Sequence, residues 1–306
     1  MSSSKFYSHI DSPRISEGFF MTVFLLDSFN LIFRAYHGMP ELTRSDGFPT
    51  GMLHGWLRTL WNLEDQFGPD QMIAVMDSGA DDREAIHSEY KANRGETPEA
   101  INQQLPWLEK LTVSLGIPLV ELKGAEADDL IGVLAQAYLK ENHQVVIVSA
   151  DKDLGQLIVP GIQQLYPPPT ANPRLGWRTM DSDAIEKKFM VRPDQIADYL
   201  ALIGDTSDNI DGIPGVGPKT AAKWLNSYGN LENIIQNSGR LKPPRFQQIV
   251  TDSRELLVRN QKLTRLNLDL DVPIPAVPGT DIEGAIEILD TLEMKKASRD
   301  LRTRVS

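Results

Sequence analysis

No cysteine occurs anywhere in the 306 residues. That excludes disulfides, thiolate zinc sites and cysteine nucleophiles, so any metal must sit on oxygen or imidazole. Long apolar runs are missing too: Val145 to Val148 and Phe19 to Leu26 fall far short of the roughly 20 residues a membrane helix needs, and no membrane partner is expected. Residues 1–20 are Ser-rich, carry Asp11 and Glu17 and lack an apolar centre. They read as a disordered tail, or as sequence ahead of a start at Met21, rather than as a secretory signal. Positive charge is scarce, with 31 Lys and Arg against 42 Asp and Glu and a net charge of −11. This excludes a broad basic platform for phosphates but leaves room for a narrow site in which clustered acids hold cations, because bound Mg²⁺ inverts the local field. Common catalytic fingerprints are also absent. There is no GxGxxG after the first strand, no GxxxxGK[ST] and no GxSxG, and the five His residues, among them His37, His54 and His87, lack metal-ligand spacing.

What is present is a repeating pattern of short apolar runs and amphipathic stretches. Thr22 to Leu26 (TVFLL) ends in Asp27, Gln71 to Met76 (QMIAVM) ends in Asp77, and Val145 to Val148 leads through Ser149 and Ala150 to Asp151; Pro118 to Leu122 is a fourth such run. All four read as buried parallel strands. Between them Met52 to Phe67, Ile101 to Leu115 and Ala127 to Lys140 carry apolar residues at spacings of three and four, so they read as helices. Strand–helix alternation predicts an α/β domain with a mostly parallel central sheet over residues 21–180. Residues 80–100 have a weak apolar pattern and are expected as an exposed loop or helix above the sheet edge, and Tyr166 to Trp177 (YPPPTANPRLGW) as an irregular connection. From 181 to 306 helices are predicted at Asp181 to Phe189, Pro193 to Ile203, Lys219 to Leu225, Leu231 to Gln236 and Ile282 to Leu292, forming a smaller helical subdomain.

Chemistry is suggested by acids at strand ends and helix starts. Asp27, Asp77 and Asp151 fall where parallel strands end, the usual ligand-binding edge of such a sheet. Glu126, Asp128 and Asp129 open a helix in GAEADDLI, Asp153 follows in ADKDL, and Asp205 and Asp208 of GDTSDN are one helical turn apart. Singly, each is most simply a helix cap. Together nine carboxylates would repel one another without cations, and oxygen ligands without Cys select Mg²⁺ or Mn²⁺. Two such ions about 4 Å apart are the standard device for in-line displacement at phosphorus. A further motif, DGIPGVGPKT at Asp211 to Thr220, sets Gly212, Gly215 and Gly217 among prolines just ahead of a helix. Such a turn can meet a phosphate backbone with main-chain N–H groups while Lys219 and Lys223 supply charge; the plainer alternative is a helix–loop–helix corner.

LLDSFNLIFRAYHG, GAEADDLIG, SADKDLGQL and ALIGDTSDNIDGIPGVGPKTA, in that order, resemble the flap endonuclease and 5′→3′ exonuclease family, including the nuclease domain of bacterial DNA polymerase I. The resemblance spans about Val23 to Leu266 and implies a PIN-like α/β domain holding two divalent ions, Mg²⁺ or Mn²⁺. A helix–hairpin–helix module at 204–225 would follow, binding duplex DNA with K⁺ in the hairpin. It implies Asp27, Asp77, Glu126, Asp128 and Asp129 as ligands of the first ion and Asp151, Asp153, Asp205 and Asp208 of the second. Residues 80–100 resemble the family's arch, in which Lys91 and an Arg such as Arg83 or Arg94 would contact the scissile phosphate and Tyr90 would stack on a base. Arg34, Tyr36, Thr50 and Gly51 resemble residues where the substrate strand enters, and Gly212, Gly215, Gly217, Lys219, Thr220 and Lys223 would grip the duplex. Two segments depart from the family pattern: Ser78 to Asp82 (SGADD) is shorter, lacks Lys and carries two acids, and the Pro-rich insert near Tyr166 is longer. The expected protein is a stand-alone, monomeric 5′→3′ exonuclease and flap endonuclease of bacterial cytoplasmic, nucleoid-associated type, with organellar targeting left open. Its substrates would be DNA flaps, nicks and free 5′ ends in primer removal and repair. The alternatives are a PIN-like nuclease directed at RNA, and a DNA-binding protein with an inert site.

Overall fold

Strand β1 (Thr22–Asp27) is buried from end to end and divides its side chains between two cores, Val23 and Leu25 on one face of the sheet, Phe24 and Leu26 on the other. That continuous apolar run is what a strand covered on both faces requires. A computed structural model describes the protein over residues 19–305; the expected tail at 1–20 lies almost wholly outside the described residues. After β1 come α1 (Ser28–Gly38), α2 (Gly51–Phe67), β2 (Gln71–Val75), α3 (Asp81–Ile86), α4 (Glu99–Ser114), β3 (Leu119–Val120), α5 (Ala127–Lys140), β4 (Gln144–Val148), β5 (Ile162–Tyr166) and β6 (Arg178–Met180). The six strands form one sheet in the order β3-β2-β1-β4-β5-β6, parallel except for the last pair. The chain leaves β1 in one direction to β2 and returns on its other side with β4, so the carboxyl ends of these three strands border a crevice. Asp27, Asp77 and Asp151 lie at or just beyond those ends.

The second half is helical: α6 (Ser182–Phe189), α7 (Ile196–Ile203), a two-stranded ribbon of β7 (Gly204–Asp205) and β8 (Ile210–Asp211), then α8 (Pro218–Tyr228), α9 (Leu231–Gln236), α10 (Phe246–Asp252), α11 (Arg254–Thr264), α12 (Ile282–Thr291) and α13 (Lys295–Arg304). The expected architecture, a mostly parallel α/β domain followed by a helical unit, is therefore the observed one. The helices from 181 onward divide between the two cores. Whereas α7 to α11 pack with α5 on the Val23/Leu25 face, Ala285, Ile286, Leu289, Ala297 and Leu301 of α12 and α13 return to the opposite core with α2 and α4. No helix among the described residues is long and apolar enough to cross a membrane.

The glycine hairpin is built onto the β7–β8 ribbon. Gly204 pairs with Asp211, and the Ile213 amide donates to the Leu202 carbonyl at 2.9 Å. A Cβ on Gly212 would run into the Ile203 carbonyl and the Gly204 amide. Gly212→Ala should therefore destabilise the chain by about 2 kcal/mol or more, read as a lowered urea midpoint. A midpoint equal to wild type would show that the backbone can yield there.

Candidate active site

Asp27 caps α1, accepting from the Asn30 amide at 3.2 Å, and takes a hydrogen bond from the Ser149 hydroxyl at 2.6 Å. Asp77 accepts from the Ala127 amide at 2.9 Å, which docks the end of β2 against the start of α5. Asp151 accepts from the Asp153 amide at 2.9 Å, and Asp205 caps the turn at 206–208 through the Ser207 amide at 3.0 Å. The capping that local sequence suggests is thus real at these positions, and it aims the carboxylates into one place.

The electrostatics show how closely they are gathered. Burial, with Asp77 and Asp151 adding repulsion, pushes the Asp27 carboxyl up to about 7 against the pull of Ser149. Asp128 is raised well above the usual carboxylate range by burial and then by Asp151, Asp27, Asp77 and Asp153, and Asp153 by burial and Asp151, with Asp205 and Asp208 adding to it. Asp153, Asp205 and Asp208 each bring an oxygen within 4.8 Å of the others. Asp153 Oδ1 is buried with no hydrogen-bond partner. A set of hard oxygens, mutually repelling and with one orphaned, suits divalent cations, so the residues fit the metals that the sequence implies. Asp151 acts on both Asp27/Asp128 and Asp153 and so stands between two groups.

The raised Asp27 has a consequence for stability. Its folded pKa of about 7 lies above the 3.8 of an ordinary Asp, so the folded state binds the proton more tightly and loses stability as pH climbs between those values. In EDTA, wild type should lose melting temperature relative to Asp27→Asn between about pH 4 and about pH 7, and Mg²⁺ should abolish the difference. A pH-independent gap would contradict this crowding.

Glu126 and Asp129 receive cations from residues 80–100, a mostly exposed segment that contains α3 and in which Arg83 and Tyr90 turn inward, each 6 % exposed. Arg83 Nη1 and Nη2 donate to Asp129 at 2.7 and 2.8 Å, Arg83 pairs with Glu126 at 2.5 Å, and it also donates to the carbonyls of Leu263 and Arg265. Asp129 Oδ1 accepts in addition from the Asn267 amide. These contacts engage the Arg83 guanidinium in tying α3 to α5 and α11. Both oxygens of Asp129 thus accept hydrogen bonds. Lys91 pairs with Glu126, and Arg94 with Asp208 at 2.6 Å, with the Arg94 side chain half exposed. Tyr90 does not stand free to stack: its hydroxyl donates to Asp208 at 3.1 Å and lies 3.3 Å from Glu126. Burial, reinforced by those two carboxylates, raises its pKa.

Lys152 was not singled out by sequence, yet its ammonium meets Asp205 at 2.5 Å and lies 3.8 Å from Asp153. Its signal was present, as the lone cation between Asp151 and Asp153. The acidic pair Asp81 and Asp82 turns out to be docked: the Asp81 amide donates to the Gly124 carbonyl, and Asp82 accepts from the Asn267 side chain. Of the residues expected where a strand enters, Tyr36 and Gly51 line a cavity of about 570 Å³ and Thr50 is buried beside it. Arg34 instead donates to the Pro168 carbonyl. That cavity is at the far end of α1 from Asp27, roughly 15 Å away at 1.5 Å per residue. In the hairpin Gly215 adopts φ +77°, Gly217 caps α8, and Lys219 and Lys223 are exposed.

Residues 22–190 match the 5′-3′ exonuclease N-terminal resolvase-like domain, and residues 191–278 match the 5′-3′ exonuclease C-terminal SAM fold. The chain is 34 % identical over 285 residues to a 5′-3′ exonuclease of Aquifex aeolicus, covering 92 % of this chain and 95 % of that one. It is 36 % identical over 274 residues to the thermostable DNA polymerase I of Thermus aquaticus, covering 89 % of this chain and 32 % of the polymerase. It thus spans about a third of that relative. Among solved structures, the T5 D15 protein co-crystallised with metal ions superposes with a TM-score of 0.66 at 21 % identity, covering 92 % of this chain and 98 % of that one. The catalytic core of Rad2 in complex with DNA substrate superposes with 0.64 at 14 %, covering 94 % and 92 %. Both share the fold.

Proposed function

Because the chain belongs to the 5′-3′ exonuclease family, we propose that it hydrolyses DNA phosphodiester bonds at or near a free 5′ end, at flaps and nicks, as a monomer with two divalent metal ions. The observation that carries this is the convergence of Asp27, Asp77, Asp128 and Asp151 with Asp153, Asp205 and Asp208 beyond the carboxyl ends of β1, β2 and β4. Support for DNA as substrate comes from the fold shared with a T5 D15 flap endonuclease in complex with DNA and with Rad2 on its DNA substrate.

In this reading Asp27, Asp77 and Asp128 hold one ion, Asp153, Asp205 and Asp208 the other, and Asp151 serves both, with Mg²⁺ the natural occupant and Mn²⁺ a substitute. When bound, such ions activate water and neutralise charge on the phosphate. The chain's own residues do the rest. Ser149 and the Asn30 amide fix the orientation of Asp27. Lys91 and Arg94 are the cations near enough to turn from Glu126 and Asp208 to a phosphate. Tyr90 and Arg83 are buried against Glu126. The hairpin at 212–220 holds duplex backbone through main-chain N–H groups, Lys219, Thr220 and Lys223, with K⁺ as its cation. It is covalently continuous with the Asp205/Asp208 turn, so duplex grip and cleavage are held in register.

The test is a duplex carrying a labelled 5′ flap, with Mg²⁺ or with EDTA. Release of short 5′ fragments in Mg²⁺ alone is the expected result. No cleavage, release from the 3′ end, or preference for an all-RNA flap in competition would overturn the reading. Arg94→Ala should slow cleavage about 10- to 100-fold with little change in melting temperature, because Arg94 is half exposed and its contribution is to the reacting phosphate.

A further inference from the structure

Asp205 has one oxygen to give. Its Oδ1 accepts from the Ser207 amide at 3.0 Å and from the Ser207 hydroxyl at 2.6 Å, the cap that shapes the turn at 206–208. Its Oδ2 accepts from the Lys152 ammonium at 2.5 Å. The same ammonium lies 3.8 Å from Asp153 Oδ1, which is buried and accepts no hydrogen bond. Lys152 therefore sits against one oxygen from each of two expected ligands of the second ion.

The two groups of acids differ in this respect. Among the described residues no Lys or Arg forms an ion pair with Asp27, Asp77, Asp128 or Asp151, and burial together with mutual repulsion raises Asp27 and Asp128. At Asp205 burial acts in the same direction, yet Lys152 and Ser207 hold its carboxyl below the usual carboxylate range. The second group carries its own cation.

We propose that Lys152 is a displaceable counter-ion of the second metal group: its ammonium yields Asp205 Oδ2 to the second divalent ion, and this exchange makes the second site weaker than the first. The inference rests on reading the acids as ligands of two ions. Two observations carry it. Because Oδ1 is committed to the cap, an ion that takes Asp205 as ligand must take Oδ2, and one oxygen cannot keep a close ammonium while ligating a divalent cation, since the two positive charges would repel at short range. The way out is also open. The Lys152 side chain is 33 % exposed, so its flexible stem can swing toward solvent while the backbone between Asp151 and Asp153 stays in place. It does not swing inward. Tyr166 on that side is buried and its hydroxyl accepts from Lys188, whose own pKa is lowered by burial and by Arg178 and Lys152. Cations there already crowd one another.

The experiment titrates Mn²⁺ into wild type, Lys152→Met and Lys152→Arg without DNA, reading free Mn²⁺ by its electron paramagnetic resonance signal. Lys152→Met should tighten the weaker of two sites about 10-fold and leave the tighter one within about twofold, whereas Lys152→Arg, which keeps the charge, should stay near wild type. In EDTA Lys152→Met should melt below wild type, because Asp153 and Asp205 lose their cation, and saturating Mn²⁺ should raise its melting temperature by more than it raises that of wild type. A second measurement needs no neutral variant. In wild type carrying lysine labelled with ¹³C at Cε, the Lys152 resonance, assigned by its loss in Lys152→Arg, should move with the second equivalent of Mg²⁺ and not with the first. A weaker second site in Lys152→Met, second-site affinities equal in all three proteins, or a Lys152 resonance that stays put through the titration overturns the inference and leaves the nuclease reading standing. If wild type binds no divalent ion at all, the two-metal reading falls with it.

Discussion

Asp128→Asn is expected to reduce Mg²⁺-dependent cleavage of a 5′-flap duplex by on the order of 10³-fold while raising the melting temperature of the metal-free protein by a few degrees. Both effects have one cause. Asp128 has Asp151, Asp27, Asp77 and Asp153 acting on it, all of them making its ionised form less favourable. Replacing the carboxylate by an amide of the same shape removes a charge that helps to hold cations and removes the repulsion that charge creates in their absence. A purely structural Asp would give the opposite stability result, as the loss of a satisfied cap or ion pair does. Thermal melts in EDTA and in Mg²⁺, beside initial rates on the flap, decide it. Mg²⁺ should raise the wild-type melting temperature more than that of Asp128→Asn, because ligand that binds only the folded state stabilises it. Retention of most of the rate, or a lower metal-free melting temperature, would remove Asp128 from the centre of the site.

The parts of this site that were legible in sequence are those in which local structure and chemistry coincide. An apolar run ending in Asp marked β1, β2 and the exit from β4, because a doubly covered strand must be apolar and its end must meet solvent. Ala127–Lys140 was bounded correctly because Glu126, Asp128 and Asp129 open it and the apolar spacing continues behind them. Strand β5 (IQQLY) was missed because its two glutamines break the apolar pattern; Gln164 is buried nonetheless, its amide donating to the carbonyls of Ser149 and Asp151 and so supporting the loop that carries two aspartates. Helix α13 was missed because half of its residues are basic and few are apolar. The return of α12 and α13 to the Phe24/Leu26 core depends on contacts between residues more than 200 positions apart, for example Arg304 with Asp65, and no window of sequence contains it. The same holds for the arch. In REAIHSEYKANR, Arg83 reads as solvated charge, since the Asp129 carboxylate and Leu263 carbonyl that draw it inward are 46 and 180 residues away.

That inward turn supports the second large prediction: Arg83→Ala should destabilise the fold by about 3–5 kcal/mol, because it leaves Glu126 and Asp129 buried without their cation. Four groups depend on the one guanidinium: the Asp129 carboxylate in a two-pronged pair, Glu126, and the carbonyls of Leu263 and Arg265. Lys91 can still neutralise Glu126, but nothing else among the described residues bridges Asp129 to α11 through a side-chain cation. Arg83→Lys should recover only part of the loss, since an ammonium offers neither the planar fork that matches a carboxylate nor enough directed donors for two carbonyls as well. Comparison with Arg94→Ala separates the two arginines. Loss at Arg83 should appear mainly in the denaturant midpoint, with cleavage by the remaining folded fraction reduced less than tenfold, whereas loss at half-exposed Arg94 should appear in the rate with the midpoint little moved. If Arg83→Ala kept wild-type stability and lost its rate, the guanidinium would belong to the reaction after all, and the α3–α5–α11 tie would have to be assigned to packing alone.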